Sequence, residues 1–98
     1  MAVKPEARFK WIREWIATHG ATDVLNADFV NGYVNATQAP YFEQAFGANS
    51  CRQLGRDLSA MHMSGQLTRG RIGLTERYTG MPSWVYVYSV PLQESNGQ

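Results

Sequence analysis

The stretch "NSCRQLGRDLSAMHMSGQLTRGRIGL", residues 49–74, decides how the rest of the chain is interpreted. Its first half repeats apolar residues at the spacing of one helix face: Cys51, Leu54, Leu58 and Met61. Asn49 or Ser50 is the expected N-cap, and the Ser-Gly pair at 64–65 is the expected end. After this glycine the period changes to that of a strand. The sequence therefore predicts a helix over about 51–63 that leads directly into a β-strand.

The opposite face of this helix is basic at one end and lacks an acidic residue. It consists of Arg52, Arg56, Ser59, Ala60 and Met63. A helix face that only meets water usually mixes Glu with Lys at i, i+4 spacing. We expect Asp57 to lie at the side of the helix, away from this face. The strand adds Arg69 and Arg71, so the positive charge continues beyond the helix.

Three further segments have the pattern of regular structure. Residues 5–19 predict an amphipathic helix, and four of its side chains share one face: Phe9, Ile12, Ile16 and His19. Residues 27–36 predict a second helix, with Asn26 as its N-cap. The segment "WVYVYSV" at 84–90 is dense in aromatic and β-branched residues, which predicts the second strand of a hairpin.

The size and composition of the chain favour one globular domain. A chain of 98 residues with 44% hydrophobic content has room for one core. No apolar run approaches the roughly 18 residues that span a bilayer, and the charged N-terminus leads us to expect no signal peptide. A single cysteine excludes an internal disulfide and suits a reducing cytoplasm. We expect a single cytoplasmic domain over 1–98, with a disordered tail at 91–98.

The net charge of +1 conceals an uneven distribution of charge. Between residues 49 and 90 the basic side chains are all arginine, and the only acids there are Asp57 and Glu76. Arginine binds phosphates and guanine edges through a planar fork of N–H donors. The segment therefore favours an anionic partner, although a solvated surface would tolerate the same charge.

Signals of catalysis and of metal binding are missing from the sequence. Cys51 has no His or acid at a spacing that indicates a nucleophile, and it falls on the apolar stripe. His19 and His62 form no metal-ligand pattern with it, and the glycines are too scattered for a phosphate loop. We expect a protein that is not an enzyme and has no cofactor and no metal.

Three helices followed by a hairpin, with the third helix running into the first strand, resemble a winged helix-turn-helix domain. The resemblance covers residues 9–90 and depends on the element order and on "RDLSAMHMSGQLTRGRIGL … WVYVYSV". Leu58, Met61 and Gly65 occupy the Leu-x-x-Leu/Met-x-x-x-Gly positions that end the recognition helix in many members of the family. The implied fold class is α+β, a three-helix core with a C-terminal two-stranded wing.

The resemblance implies sequence-specific binding to double-stranded DNA by a small transcriptional regulator of the bacterial or phage type. Helix 50–63 would lie in the major groove, and the 68–89 hairpin on the backbone or in the minor groove. The protein would then associate with the nucleoid. The expected DNA-binding residues are Asn49, Ser50, Arg52, Gln53, Arg56, Ser59, Ala60, Met63, Arg69, Arg71 and Arg77.

An alternative function is a winged-helix module for protein contacts that does not bind DNA. The aromatic first helix, "FKWIREWI", offers a homodimer surface, and "PYFEQAF" at 40–46 offers a partner surface. Arg52 and Arg56 could instead be solvent-facing residues, with Arg56 paired with Glu43 or another acid, and the strand arginines could protect a sheet edge from aggregation. Both alternatives stay open at the level of the sequence.

Overall fold

The chain folds as a small α+β domain with three helices and a two-stranded antiparallel hairpin. The computed structural model describes residues 3–43, 49–74 and 83–91. The elements are α1 (Pro5–His19), α2 (Ala27–Thr37), α3 (Arg52–Met63), β1 (Thr68–Gly73) and β2 (Trp84–Ser89). The predicted tail lies outside the described residues except for its first position, 91.

Helix α1 has the predicted bounds. Proline is accepted in its first turn, and Gly20, at φ 97°, ends it in a conformation that favours glycine. Ile12 and Ile16 are buried, as predicted. His19, which the helical spacing places on the same face, is not part of the core, because its ring is exposed and stacks on Trp15 at 4.1 Å between centroids.

Helix α2 confirms Asn26 as its N-cap, since the side-chain oxygen accepts a hydrogen bond from the backbone N–H of Phe29 at 3.2 Å. The helix ends one residue later than predicted. Gly32 weakens its helical propensity but permits close packing, because a Cβ there would lie 3.1 Å from Trp11 Cζ2. The glycine therefore lets α1 pack its indole directly on α2.

Helix α3 begins at Arg52, and its N-cap is Cys51, which makes no side-chain capping bond. The prediction of Asn49 or Ser50 as the cap is wrong for a physical reason. Ser50 exchanges both backbone hydrogen bonds with Phe42, at 2.7 and 2.8 Å, so its backbone is held in an extended bridge. The helix can start only after this bridge.

The core lies between the inner faces of the three helices and the start of the hairpin. The predicted apolar stripe of α3 is buried at all four positions, which includes Cys51. The largest fully buried side chains of the core are Tyr33, Phe29, Ile12, Leu54, Leu58, Met61 and Val30. None of the helices in the described ranges is long and apolar enough to cross a membrane.

The hairpin is joined to the helices by a short backbone bridge that the sequence did not predict. Thr22, between α1 and α2, donates to the carbonyl of Tyr88 at 3.0 Å and accepts from its N–H at 2.8 Å. Leu67 and Tyr88 are buried in the core, so one end of the hairpin packs against the helices. The register pairs Arg69 with Tyr88 and Arg71 with Tyr86.

Candidate nucleic-acid interface

The outer face of α3 lies where the helical spacing placed it. Arg52, Arg56, Ala60 and Met63 are exposed, and Ser59 is half-buried. Met63 is 84% exposed, the largest value among the bulky apolar side chains of the described ranges. The face therefore combines two arginines at one end with small and apolar side chains at the other.

The acidic residue of α3 does not share this surface, because Asp57 points into the domain and is 5% exposed. Arg8 of α1 pairs with it through two contacts, Nε to Oδ2 at 2.7 Å and Nη2 to Oδ1 at 3.1 Å. The hydrogen bond to Asp57 raises the pKa of Arg8 above its ordinary value. The negative charge of α3 is thus neutralised internally.

A tyrosine and a glutamine complete this internal network. The hydroxyl of Tyr33 in α2 donates to Asp57 Oδ2 at 2.5 Å and accepts from Gln53 Nε2 at 3.0 Å. Burial and the bond to Asp57 raise the pKa of the Tyr33 phenol. All three helices are therefore joined by one chain of hydrogen bonds behind the arginine face, the outer face of α3 that carries Arg52 and Arg56.

This network changes the position expected for Gln53. The sequence placed it among the groups that contact DNA, but its side chain is half-buried and its amide nitrogen donates to Tyr33. Its position one turn before Asp57 explains the difference, since residues four apart share a helix face. Gln53 lies at the edge of the arginine face.

The two residues before the N-terminus of α3, Asn49 and Ser50, are fixed by hydrogen bonds to other segments. The side-chain amide of Asn49 donates to the side-chain oxygen of Asn31 in α2 at 2.9 Å, and this pair is exposed. Ser50 uses its backbone in the bridge to Phe42. The Arg52 guanidinium lies 5.8 Å from the centroid of the Phe42 ring, within the range of a cation–π contact.

The arginines of β1 lie over aromatic rings of β2. Arg69 Cζ is 4.0 Å from the centroid of Tyr86, and Arg71 Cζ is 4.2 Å from the centroid of Trp84. Each arginine contacts the ring diagonally opposite on the other strand, two register positions nearer the tip of the hairpin. Arg69 is half-buried and Arg71 is exposed.

The arginines of α3 and β1 have no carboxylate partner in the described ranges, where the one ion pair is Arg8–Asp57. The expected alternative of an Arg56–Glu43 pair is not found between these two described residues. Arg77, the remaining predicted DNA contact, lies outside the described residues. Between residues 49 and 74 the charged side chains that reach the surface are therefore arginines.

The described part of the chain contains no cluster of side chains with the composition of a metal site. Residues 3–43, 49–74 and 83–91 contain no group of three or more His, Cys, Asp or Glu side chains that could hold a metal ion.

No protein-family model, curated protein or solved structure matches this chain.

Proposed function

We propose that this chain is a winged helix-turn-helix domain that binds double-stranded DNA in a sequence-specific manner as a small transcriptional regulator. In this proposal α3 enters the major groove and the 68–89 hairpin lies on the backbone or in the minor groove. The chain acts as a binding protein and not as an enzyme. The order of the three helices and the hairpin supports this assignment.

The observation that carries the proposal is the inward position of Asp57. An acid on the outer face of a recognition helix would repel phosphates, but here the acid pairs with Arg8 beneath that face. The outward charges of α3 are then Arg52 and Arg56. A guanidinium without a carboxylate partner keeps its planar donors available for phosphate oxygens or for the O6 and N7 of guanine.

Small side chains next to these arginines favour a close approach. Ala60 is exposed and Ser59 is half-buried one turn further along α3. Neither side chain is large enough to hold the helix away from the floor of a major groove. Met63 at the end of the helix is suited to contact with a thymine methyl group.

The proposal is tested by fluorescence anisotropy with labelled duplex DNA, first with random sequence and then with sites selected from a random pool. We expect Arg52→Ala/Arg56→Ala to weaken binding at least about tenfold, since each bidentate contact is worth ~1–3 kcal/mol. The matched control is Lys4→Ala/Lys10→Ala, which removes the same charge from two exposed positions, one just before α1 and one within it. An equal loss of DNA affinity in both variants would mean that the protein attracts DNA only through its overall positive charge.

A second candidate function is a winged-helix module for protein contacts. Two adjacent aromatic side chains favour it, Tyr41 at 47% and Phe42 at 60% exposure. The rest of the predicted "PYFEQAF" surface, residues 44–46, lies outside the described residues. Binding to a protein partner that is insensitive to salt and lost in Phe42→Ser would favour this function.

The proposed homodimer through α1 has less aromatic surface than the sequence indicated. Trp11 and Trp15 are half-buried, and both pack on Phe29, at centroid distances of 6.0 and 4.9 Å. Their rings are therefore used largely within the domain. Analytical ultracentrifugation across a range of protein concentrations tests whether a dimer forms.

A further inference from the structure

We propose that the hairpin contains a second nucleic-acid site, which binds unpaired nucleotides of a single strand by stacking their bases. The site consists of Arg69, Arg71, Trp84 and Tyr86. This inference goes beyond duplex binding by α3 and does not require it.

The four side chains share one face of the hairpin. In the antiparallel register Arg71 lies opposite Tyr86, and Gly73 lies opposite Trp84, so arginines line one strand and aromatic rings the other. The rings contact each other edge to face, with 4.7 Å between the centroids of Trp84 and Tyr86. The result is a strip of four planar groups, in which each guanidinium lies over one ring and the two rings meet edge to face.

The strip becomes more accessible along the hairpin. At the end of the strip nearest the core, Arg69 is half-buried, and Tyr88 opposite it is buried. Further along, Tyr86 and Trp84 are half-buried and Arg71 is exposed. The half of the strip nearest the tip, Arg71 and Trp84, is therefore available to a ligand, although it contains the larger ring.

A cleft adjoins the same rings. Its volume is about 200 Å³, and it is lined by Trp84, Val85, Tyr86 and Tyr88 of β2 and by Val24 from the α1–α2 connection. The aromatic lining suits a flat apolar group, and the neighbouring guanidinium groups suit a negative charge. A nucleotide combines both properties, a flat base and an attached phosphate.

The charge of the strip selects this ligand over an apolar peptide or a neutral ring. Arg69 and Arg71 have no carboxylate partner among the described residues, so their charge is compensated only in part by the π-systems beneath them. Arg guanidinium planes and aromatic side chains are the two surfaces on which proteins stack unpaired bases. A duplex hides its base faces within the stack, and a single strand presents them.

The test measures anisotropy of the full chain with three labelled strands of about ten nucleotides: oligodeoxyuridylate, oligouridylate and an abasic strand with the same phosphates. We expect at least about fivefold tighter binding to the strands with bases than to the abasic strand. The ratio of the affinities for oligodeoxyuridylate and oligouridylate, which have the same base and differ only in the sugar, distinguishes a DNA ligand from an RNA ligand. Equal affinity for the abasic strand, or no binding to any strand, would overturn the proposal.

One variant tests the role of stacking without opening the core, and a second separates this site from duplex binding by α3. Arg69→Lys/Arg71→Lys keeps both charges but removes the planar groups, so we expect the preference for bases to fall at least about threefold while affinity for the abasic strand is retained. Unchanged preference in this variant would contradict the site. Arg52→Ala/Arg56→Ala should leave single-strand binding intact, so loss of the hairpin site and loss of duplex binding by α3 are separate outcomes.

Discussion

The guanidinium of Arg8 and the carboxylate of Asp57 form a two-pronged ion pair between α1 and the inner side of α3. The two side chains are 15% and 7% exposed, so water screens the pair only weakly. The pair has two effects: it holds α3 against α1, and it removes the negative charge of Asp57 from the outer surface.

Breaking this pair should destabilise the fold more than removing an exposed charge of the same helix. For Arg8→Ala we expect a loss of about 3 kcal/mol in the free energy of unfolding, because it leaves Asp57 charged and buried without its cation. The measurement is urea unfolding followed by circular dichroism. Lys10→Ala, at an exposed position of α1, should change stability by less than about 0.5 kcal/mol. Similar values for the two variants would show that the pair adds nothing.

Alkaline pH should weaken the fold through Tyr33. Its pKa is raised in the folded protein, so the folded chain holds the phenolic proton more tightly than the unfolded chain does. The contribution to stability is complete below about pH 10, the ordinary tyrosine pKa, and is lost as the pH rises further. Urea unfolding between pH 8 and pH 11, as approximate limits, measures this loss.

Tyr33→Phe and Tyr41→Phe provide the comparison for that titration. Tyr33→Phe should cost about 1–2 kcal/mol near neutral pH, because it removes the hydrogen bond to Asp57 and the one from Gln53. It should also remove part of the alkaline loss. Tyr41 is 47% exposed, and its replacement should change the free energy of unfolding near neutral pH by less than about 0.5 kcal/mol. An identical alkaline slope in the wild type and in Tyr33→Phe would contradict this explanation.

Two helical glycines should respond differently to alanine. A Cβ on Gly55 would meet nothing within 4 Å, so Gly55→Ala should stabilise the protein by about 0.5–1 kcal/mol through helical propensity. A Cβ on Gly32 would lie 3.1 Å from Trp11 Cζ2, so the indole must shift and the gain should be smaller or reversed. Thermal unfolding of both variants measures the difference. A larger gain at Gly32 would show that the contact with Trp11 is not tight.

The two candidate functions differ in what they require of the exposed aromatic pair. If α3 binds duplex DNA, Tyr41→Ser/Phe42→Ser should keep most of the affinity. The expected loss of affinity is below about threefold, because the cation–π contact that positions Arg52 on Phe42 is long, at 5.8 Å. Anisotropy with duplex DNA measures this. Loss of DNA binding as large as that in Arg52→Ala/Arg56→Ala would place these aromatic residues within the DNA-binding surface.

Local signals in the sequence were sufficient for most elements of the fold. Pro5 and Gly20 mark the two ends of α1, and Asn26 caps α2. The 3.6-residue period identifies the buried stripe of α3. These features depend on residues close together in the chain, which is why they can be predicted from it. The start of α3 was predicted one residue early because the Ser50–Phe42 bridge is a tertiary contact.

The internal network and the stacked arginines required contacts between distant segments. Arg8 and Asp57 are 49 residues apart, and no local pattern relates them. One signal was present in α3 itself: Asp57 directly precedes Leu58, at the border of the apolar stripe, where a buried carboxylate needs a partner. The Arg69–Tyr86 and Arg71–Trp84 stacks depend on the register of the hairpin, which residues 68–73 and 84–89 alone do not determine.

The salt dependence of duplex binding tests most directly whether the arginine surface holds DNA. We predict that the logarithm of the association constant falls with the logarithm of salt concentration at a slope of about −4. The slope should weaken by about two units in Arg52→Ala/Arg56→Ala and stay unchanged in Lys4→Ala/Lys10→Ala. A slope near zero, or an equal slope in the wild type and the arginine variant, would contradict the account.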